Sequence, residues 1–250
     1  MYSGVLVLLL LSGCPESAAQ QKEAEATVYA SPNAVFDAYR HAYNNQDWRS
    51  LYFLCTRELQ QELVFEAAFK CYEVGDADSA TRRIEEKFGA SEADLTKKYY
   101  ESYKRKHGHG DVIDKYLAKA IPHLEAKAGS GVETDESQFS EEAAAVKALP
   151  ADKELQIQAV YDATKDKVGY FAAVQEMVQS GRKPNVIGDL KELVVDGDTA
   201  TGHATILKRP GPRESKQTDS TYDKRFKFRQ LNGGWLVDLP YSSRDRGGAP

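Results

Sequence analysis

Residues 221–231 read Thr-Tyr-Asp-Lys-Arg-Phe-Lys-Phe-Arg-Gln-Leu, and apolar and polar side chains alternate along them. Side chains two apart share one face of a β-sheet. One face would carry Tyr222, Phe226 and Phe228, and the other Asp223, Arg225, Lys227 and Arg229. This pattern predicts a half-buried strand. Asn232-Gly233-Gly234 then predicts a tight turn, followed by a returning strand over Trp235–Leu239.

Two further strands precede this pair. Val186–Val195 and Thr199–Leu207 flank Asp196-Gly197-Asp198, a sequence typical of a tight hairpin turn. The four segments together predict an antiparallel meander with one apolar face.

The chain before residue 180 predicts helices. Ser31-Pro32 supplies an N-cap and a first helical residue, and Asp47 caps a second helix that begins at Trp48. A third helix is predicted from Arg57 to Tyr72, with Leu59, Leu63, Phe65, Phe69 and Tyr72 as its apolar positions. Further helices are predicted at Ser79–Phe88, Ser91–Lys106, Asp111–Lys127, Glu141–Ala148, Lys153–Ala163 and Lys165–Gln179. Helices followed by a meander make an α+β fold.

The first fourteen residues carry a targeting pattern. An apolar run from Val5 to Leu11 is far shorter than the ~20 residues that a membrane-spanning helix needs. It ends in Leu11-Ser12-Gly13-Cys14, which resembles the lipobox of bacterial lipoproteins. The resemblance implies that residues 1–13 are a signal peptide and that Cys14 carries the lipid that holds the protein on a membrane. Residues 14–30 would be a flexible tether, and 242–250 a disordered tail.

The charge of the chain bears on its partners, and the positions of its cysteines bear on disulfide formation. The 250 residues include 38 acidic and 33 basic side chains, a net charge of −5 that argues against nucleic acid as a partner. Cys55 and Cys71 would lie roughly 20 Å apart along a straight helix, whereas a disulfide needs Cα atoms within about 7 Å. We therefore expect two buried thiols, unless that helix kinks.

Both ends of the folded region resemble one superfamily. The opening Ser-Pro…Val-Phe…Tyr…Ala-Tyr-Asn-Asn-Gln-Asp-Trp and the closing Val-Val-Asp-Gly-Asp-Thr-Ala-Thr…Phe-Arg-Gln-Leu-Asn-Gly-Gly-Trp-Leu-Val-Asp-Leu are similar to the nuclear transport factor 2-like, or SnoaL-like, domains. The resemblance implies a cone, in which a bent sheet wraps round a long helix and leaves a cavity. The cone would comprise residues 31–74 plus 165–241. Residues 75–164 depart from the family pattern and are interpreted as a helical insertion, placed where it would cover the cone's mouth.

Two sets of residues are candidates for a site in such a cone. The superfamily's enzymes use an acid–base pair, for which His203 and Asp238 are the candidates. However, Ala200, Gly202 and Ala204 would pack under a helix, which would turn His203 outward. The ligand-pocket candidates are Tyr39, Trp48, Tyr222, Phe226 and Trp235. Tyr222 and Trp235 have the alternative interpretation of core residues.

Two motifs lie in the predicted insertion. His107, His109 and Asp111 form the one sequence cluster of metal-ligand types, suited to zinc or copper. Its glycines equally fit a helix end, with Asp111 capping the next helix. Lys97–Lys106 mixes basic and aromatic residues, which suits lipid headgroups or a sugar polymer. It equally suits a surface helix with its tyrosines turned inward.

These patterns favour an exported, lipid-anchored protein that faces the periplasm or the cell exterior. We expect a non-catalytic binding module for a protein, a small ligand or a cell-wall component, with no cofactor. One alternative is a cone-pocket enzyme performing acid–base chemistry on a small apolar substrate. Another is a structural or dimerisation module.

Overall fold

A computed structural model describes residues 28–74, 79–130, 140–180, 183–209 and 218–238, and these fold as helices followed by a sheet. The α+β class is as predicted. The helices are α1 (Pro32–Asn44), α2 (Trp48–Phe53), α3 (Arg57–Val74), α4 (Ser79–Phe88), α5 (Glu92–His107), α6 (Gly110–Ser130), α7 (Ser140–Lys147), α8 (Lys153–Ala163) and α9 (Lys167–Gln179). The strands are β1 (Val186–Asp196), β2 (Thr199–Lys208), β3 (Ser220–Leu231) and β4 (Gly234–Val237).

The sheet is the predicted antiparallel meander, in the order β1-β2-β3-β4. Gly197 turns the chain between β1 and β2 with φ +59°, and Asn232 and Gly233 turn it between β3 and β4 with φ +52° and +82°. Glycine adopts positive φ without steric penalty, and asparagine tolerates it. Local turn chemistry therefore fixes both tight connections.

Strand β1 carries two irregularities that the sequence did not predict. Its register with β2 shifts between Ile187 and Leu190 and again between Lys191 and Val194. Glu192, within the second shift, has φ +52°. A bulge bends a strand and increases its twist, so β1 curves where a regular strand would run straight.

One apolar core, called here the main core, lies between the sheet and helices α1, α2, α3 and α9. Phe36 of α1 contacts Phe226 of β3 edge to face, with ring centroids 5.1 Å apart, and it also contacts Phe228. All three are buried. Burying one such side chain contributes about 1.5–3 kcal/mol, so α1 is held against the sheet mainly by this aromatic contact.

Backbone hydrogen bonds fasten the start of α3 to β4. The Thr56 N–H donates to the Val237 carbonyl at 2.9 Å, and the Val237 N–H donates to the Leu54 carbonyl at 2.9 Å. The Thr56 hydroxyl also donates to Asp238 Oδ1 at 2.9 Å, and Arg229 donates to the second oxygen of that carboxylate at 2.7 Å. The end of the sheet and the helical layer are thereby joined.

The helices between residues 79 and 163 divide into two groups. Helices α4 and α8 pack on the main core through Ile84, Phe88, Val160 and Tyr161. Helices α5, α6 and α7 instead form a second cluster centred on Tyr103, Ile113 and Val146. Leu155 of α8 also packs against the second cluster, so α8 contacts both cores, whereas α4 belongs to the main body.

The predicted cysteine state is confirmed. Cys55 and Cys71 are both free thiols and both buried, and burial raises the pKa of each.

One prediction for α3 is wrong. Phe69, assigned to its apolar face, is 50 % exposed, whereas Leu59, Leu63, Val64 and Ala67 are buried. The helix turns toward the core the face that carries Leu59, Leu63, Val64 and Ala67, where helices α8 and α9 pack against it.

The tether predicted over residues 14–30 overlaps the folded domain at Tyr29. The Trp235 N–H donates to the Tyr29 carbonyl at 2.9 Å, and Tyr29 packs against the main core. Cys14, the predicted signal peptide and the tail from residue 242 lie outside the described residues. Within the described residues, none of the helices combines the length and apolarity needed to cross a bilayer.

Candidate functional site

A cleft of about 210 Å³ opens between the sheet and the helices of the main core. Its walls come from α1, α2, α3, α9 and the concave sides of β1, β2 and β3. The lining residues are Tyr39, Tyr43, Trp48, Leu51, Leu63, Lys70, Phe171, Gln175, Gln179, Asn185, Ile187, Ile206, Tyr222, Lys224 and Phe226. The cleft is therefore bounded largely by aromatic and aliphatic side chains, with a minority of amides and amines.

The structure brings together four of the five pocket candidates. Tyr39, Trp48, Tyr222 and Phe226 all line the cleft. Phe226 is fully buried, whereas Tyr222 is 49 % exposed, so the wall that β3 supplies runs from the interior to solvent. Trp235 is buried in the main core but does not line the cleft.

Lys224 is one of the lining residues that the sequence interpretation missed. It lies on β3 midway between Tyr222 and Phe226, and it therefore shares their face of the sheet. Its ammonium group lies 5.8 Å from the centroid of the Phe226 ring. Burial lowers the pKa of Lys224, because a charged amine loses hydration there. The strand's alternation already carried this signal, since Lys224 occupies an apolar phase of the pattern.

Amide groups supply most of the remaining polar lining. Gln175 of α9 is only 7 % exposed, and among the described residues its side chain has no hydrogen-bond partner. Asn185 lies at the connection into β1, where its Oδ1 accepts from the Arg209 N–H at 3.0 Å. Burial raises the pKa of Tyr43, while its hydrogen bond with Asn185 opposes that shift.

The described lining residues include no Asp, Glu or His. His203 lies on the other face of β2, because the buried residues of that strand are Ala200, Gly202, Ala204 and Ile206. Its register neighbours are Lys191 and Arg225.

Asp238 is held elsewhere, by the Thr56 hydroxyl and the Arg229 guanidinium. The structure therefore does not bring the candidate acid–base pair of His203 and Asp238 together, and neither residue lines the cleft.

The histidine motif also fails to form a ligand set. His107 Nε2 lies 2.8 Å from Asp152 Oδ2, and its ring packs on Tyr103 with centroids 4.5 Å apart. Within the described residues, no group of three His, Cys, Asp or Glu side chains is placed to hold a metal ion. Gly108 ends α5, as the alternative interpretation proposed, but α6 begins at Gly110, so Asp111 lies in its first turn rather than at its cap.

The basic and aromatic segment 97–106 is part of α5. Tyr103 is buried, and Tyr99 and Tyr100 are half-buried in the second cluster. This is the arrangement of a surface helix with its tyrosines turned inward, so these rings are not available as a stacking platform.

Comparison with protein-family models, with curated protein sequences and with solved structures finds no match to this chain.

Proposed function

We propose that this chain is a lipid-anchored cell-envelope protein whose α+β domain binds a small ligand without catalysis. The observation that carries the proposal is the aromatic cleft between the sheet and α1, α2, α3 and α9. Small-molecule sites are concave and mainly apolar, with a few polar groups that orient the ligand. The cleft is concave and combines aromatic and aliphatic side chains with amides and amines.

A divergent nuclear transport factor 2-like cone is the architecture that we propose for this domain. Three features support it: the meander order of the strands, the bends in β1, and helices that face the curved sheet across a cavity. In addition, every described lining residue belongs to segments 31–74 and 165–241. None of the described residues of the interpreted insertion, 75–164, closes the cleft.

Binding without catalysis is favoured over the enzyme alternative by the chemistry of the lining. General acid–base catalysis needs a titratable group within hydrogen-bond reach of the substrate, most often His, Glu or Asp. The described lining provides amides, phenols and amines. The two candidates for acid–base roles, His203 and Asp238, lie outside it.

Membrane attachment through Cys14 is the second part of the proposal, supported by the lipobox-like sequence. In a bacterial host, Cys14→Ala should abolish incorporation of labelled palmitate and move the protein from the membrane to the soluble fraction. Cys71→Ala is the matched control and should change neither. An unlipidated wild-type protein that retains Met1 in its mass spectrum would overturn this part.

The two tryptophans provide a test of ligand binding, since Trp48 lines the cleft and Trp235 does not. A panel of single-ring aromatic compounds should change tryptophan emission in the Trp235→Phe variant, which retains Trp48. The Trp48→Phe variant should show no such change. If no compound perturbs Trp48 in a folded protein, the cleft does not bind ligands of this size.

A further inference from the structure

We infer that the cleft selects an anionic ligand, namely a single-ring aromatic carboxylate whose charged group is met by Lys224. This inference rests on the proposed function and specifies the chemical class of its ligand. It depends on the position of one lysine, on the charges around the cleft, and on the size and composition of the walls.

The position of Lys224 is unusual for a lysine. In β3 its neighbours on the same face are Tyr222 and Phe226, and the residue opposite it in β2 is Ala204, which is 1 % exposed. The amine therefore extends from the concave face of the sheet into the cleft. Lysine is among the residues least often buried, because removing an ammonium group from water is costly.

The surrounding charges favour an anion. Lys70 of α3 is the second lysine of the lining, and the described lining has no carboxylate. Two cations that line one cleft attract negative charge more strongly than they would in bulk water, because the local dielectric constant at a protein surface is lower. A ligand carboxylate beside Lys224 would form an ion pair with its ammonium group.

Gln175 provides an independent second contact. Its side chain lines the cleft, is only 7 % exposed, and has no hydrogen-bond partner among the described residues. Buried amides are normally hydrogen-bonded. A carboxylate oxygen can accept from the amide N–H, so the ligand that neutralises Lys224 can also satisfy Gln175.

The walls define the rest of the ligand. Tyr39, Trp48 and Tyr222 present aromatic rings to the cleft, and aromatic rings pack well on one another. An apolar cavity of about 150 Å³ holds one benzene molecule in a well-studied case. A cleft of about 210 Å³ therefore has room for one ring with a short carboxylate arm.

The test compares phenylacetate with its neutral isostere phenylacetamide by calorimetry on the folded protein. Phenylacetate should bind more tightly, and Lys224→Met should weaken it by about 10- to 100-fold, as expected for a hydrogen bond to a charged group. Phenylacetamide should change by less than about 3-fold. Lys227→Met, on the same strand but on its exposed face, is the matched control and should leave both affinities unchanged.

The outcomes separate the two proposals. If both compounds bind equally and Lys224→Met changes neither affinity, the anion inference is overturned while ligand binding stands. If Lys227→Met weakens phenylacetate as much as Lys224→Met does, the selectivity is a general charge effect and the role of Lys224 is refuted. If neither compound binds and Trp48 responds to no aromatic compound, the binding function itself fails. Lys224→Arg, which keeps the charge, should retain part of the preference for phenylacetate.

Discussion

The main core and the second cluster bury their apolar side chains in different ways. In the main core, rings from α1 meet rings from β3, and the curved sheet stands away from the helices far enough to leave a cleft. In the second cluster, three helices close on Tyr103, Ile113 and Val146. A sheet bent by bulges can enclose space, whereas close-packed helices fill it. The proposed ligand site therefore lies in the first region, whereas the second is a helical cluster closed on its own apolar centre.

The largest effect is expected in the aromatic centre of the main core. Phe226→Ala removes a fully buried ring that contacts Phe36 and Tyr39. It should lower the free energy of unfolding by about 3–5 kcal/mol, because the lost contacts leave a cavity. Urea unfolding followed by tryptophan fluorescence measures this loss.

Phe69→Ala is the control for that substitution, because it removes the same side chain from a half-exposed position of α3. It should change stability by no more than about 0.5 kcal/mol. Equal losses for the two variants would mean that burial at the sheet–helix interface does not dominate the stability of the main core.

The next effect tests whether the second cluster unfolds by itself. Ile113→Ala removes a fully buried side chain from its centre and should cost about 2–4 kcal/mol. Loss of hydrogen-exchange protection should be confined to α5, α6 and α7. The fluorescence transition should stay in place, because both tryptophans lie in the main core.

The milder Ile113→Val should lower the free energy of unfolding by about 0.5–1.5 kcal/mol. The loss of hydrogen-exchange protection should again lie in α5, α6 and α7. If the fluorescence transition instead moves together with the helical signal, the two regions unfold as one cooperative unit and the comparison between them loses its energetic basis.

Much of the fold was accessible from the sequence because its signals are local. The turns at Gly197 and Asn232, the caps at Ser31 and Asp47 and the alternation of β3 all act within a few residues. Such signals fix where elements begin and end and which face of a strand is apolar.

The remaining features depend on contacts between distant segments. Nothing local in β1 marks Glu192 for a positive φ, because the bulge follows from pairing with β2. In α3, apolar residues occupy more than one face, so the face that is buried is decided by neighbouring helices. That is why Phe69 was misassigned. Lys224 shows an intermediate case: its phase in β3 could be seen in the sequence, but its place in the lining of the cleft could not.

A smaller effect tests the hydrogen bonds that join α3 to the sheet. Thr56→Val keeps the shape of a fully buried side chain but removes the donor to Asp238 Oδ1. The loss should be about 1–3 kcal/mol, because the acceptor is charged and the donor is buried. Denaturant unfolding measures it. Thr205→Val is a matched control, since Thr205 donates to Asp223 at 2.8 Å on an exposed surface. A comparable loss for both variants would contradict the importance of burial for this contact.

The smallest effect concerns a contact between the two regions, where Asp152 caps α8 and joins it to α5. Hydrogen bonds from His107 and Lys106 hold the pKa of the Asp152 carboxyl well below its usual range. A carboxyl whose pKa is lowered by folding stabilises the fold above its unfolded-state pKa, about 3.9, and that contribution is lost as the pH falls.

Asp152→Asn keeps a good N-cap but removes the charge. Hydrogen exchange should therefore show weaker protection of α8 in this variant at pH 7, and the difference should shrink at pH 3. Asp166→Asn, at the N-cap of α9, controls for capping alone and should give little difference at either pH. Equal loss for Asp152→Asn at both pH values would assign the effect to cap geometry, and the charged contact between α5 and α8 would then contribute nothing to joining the two regions.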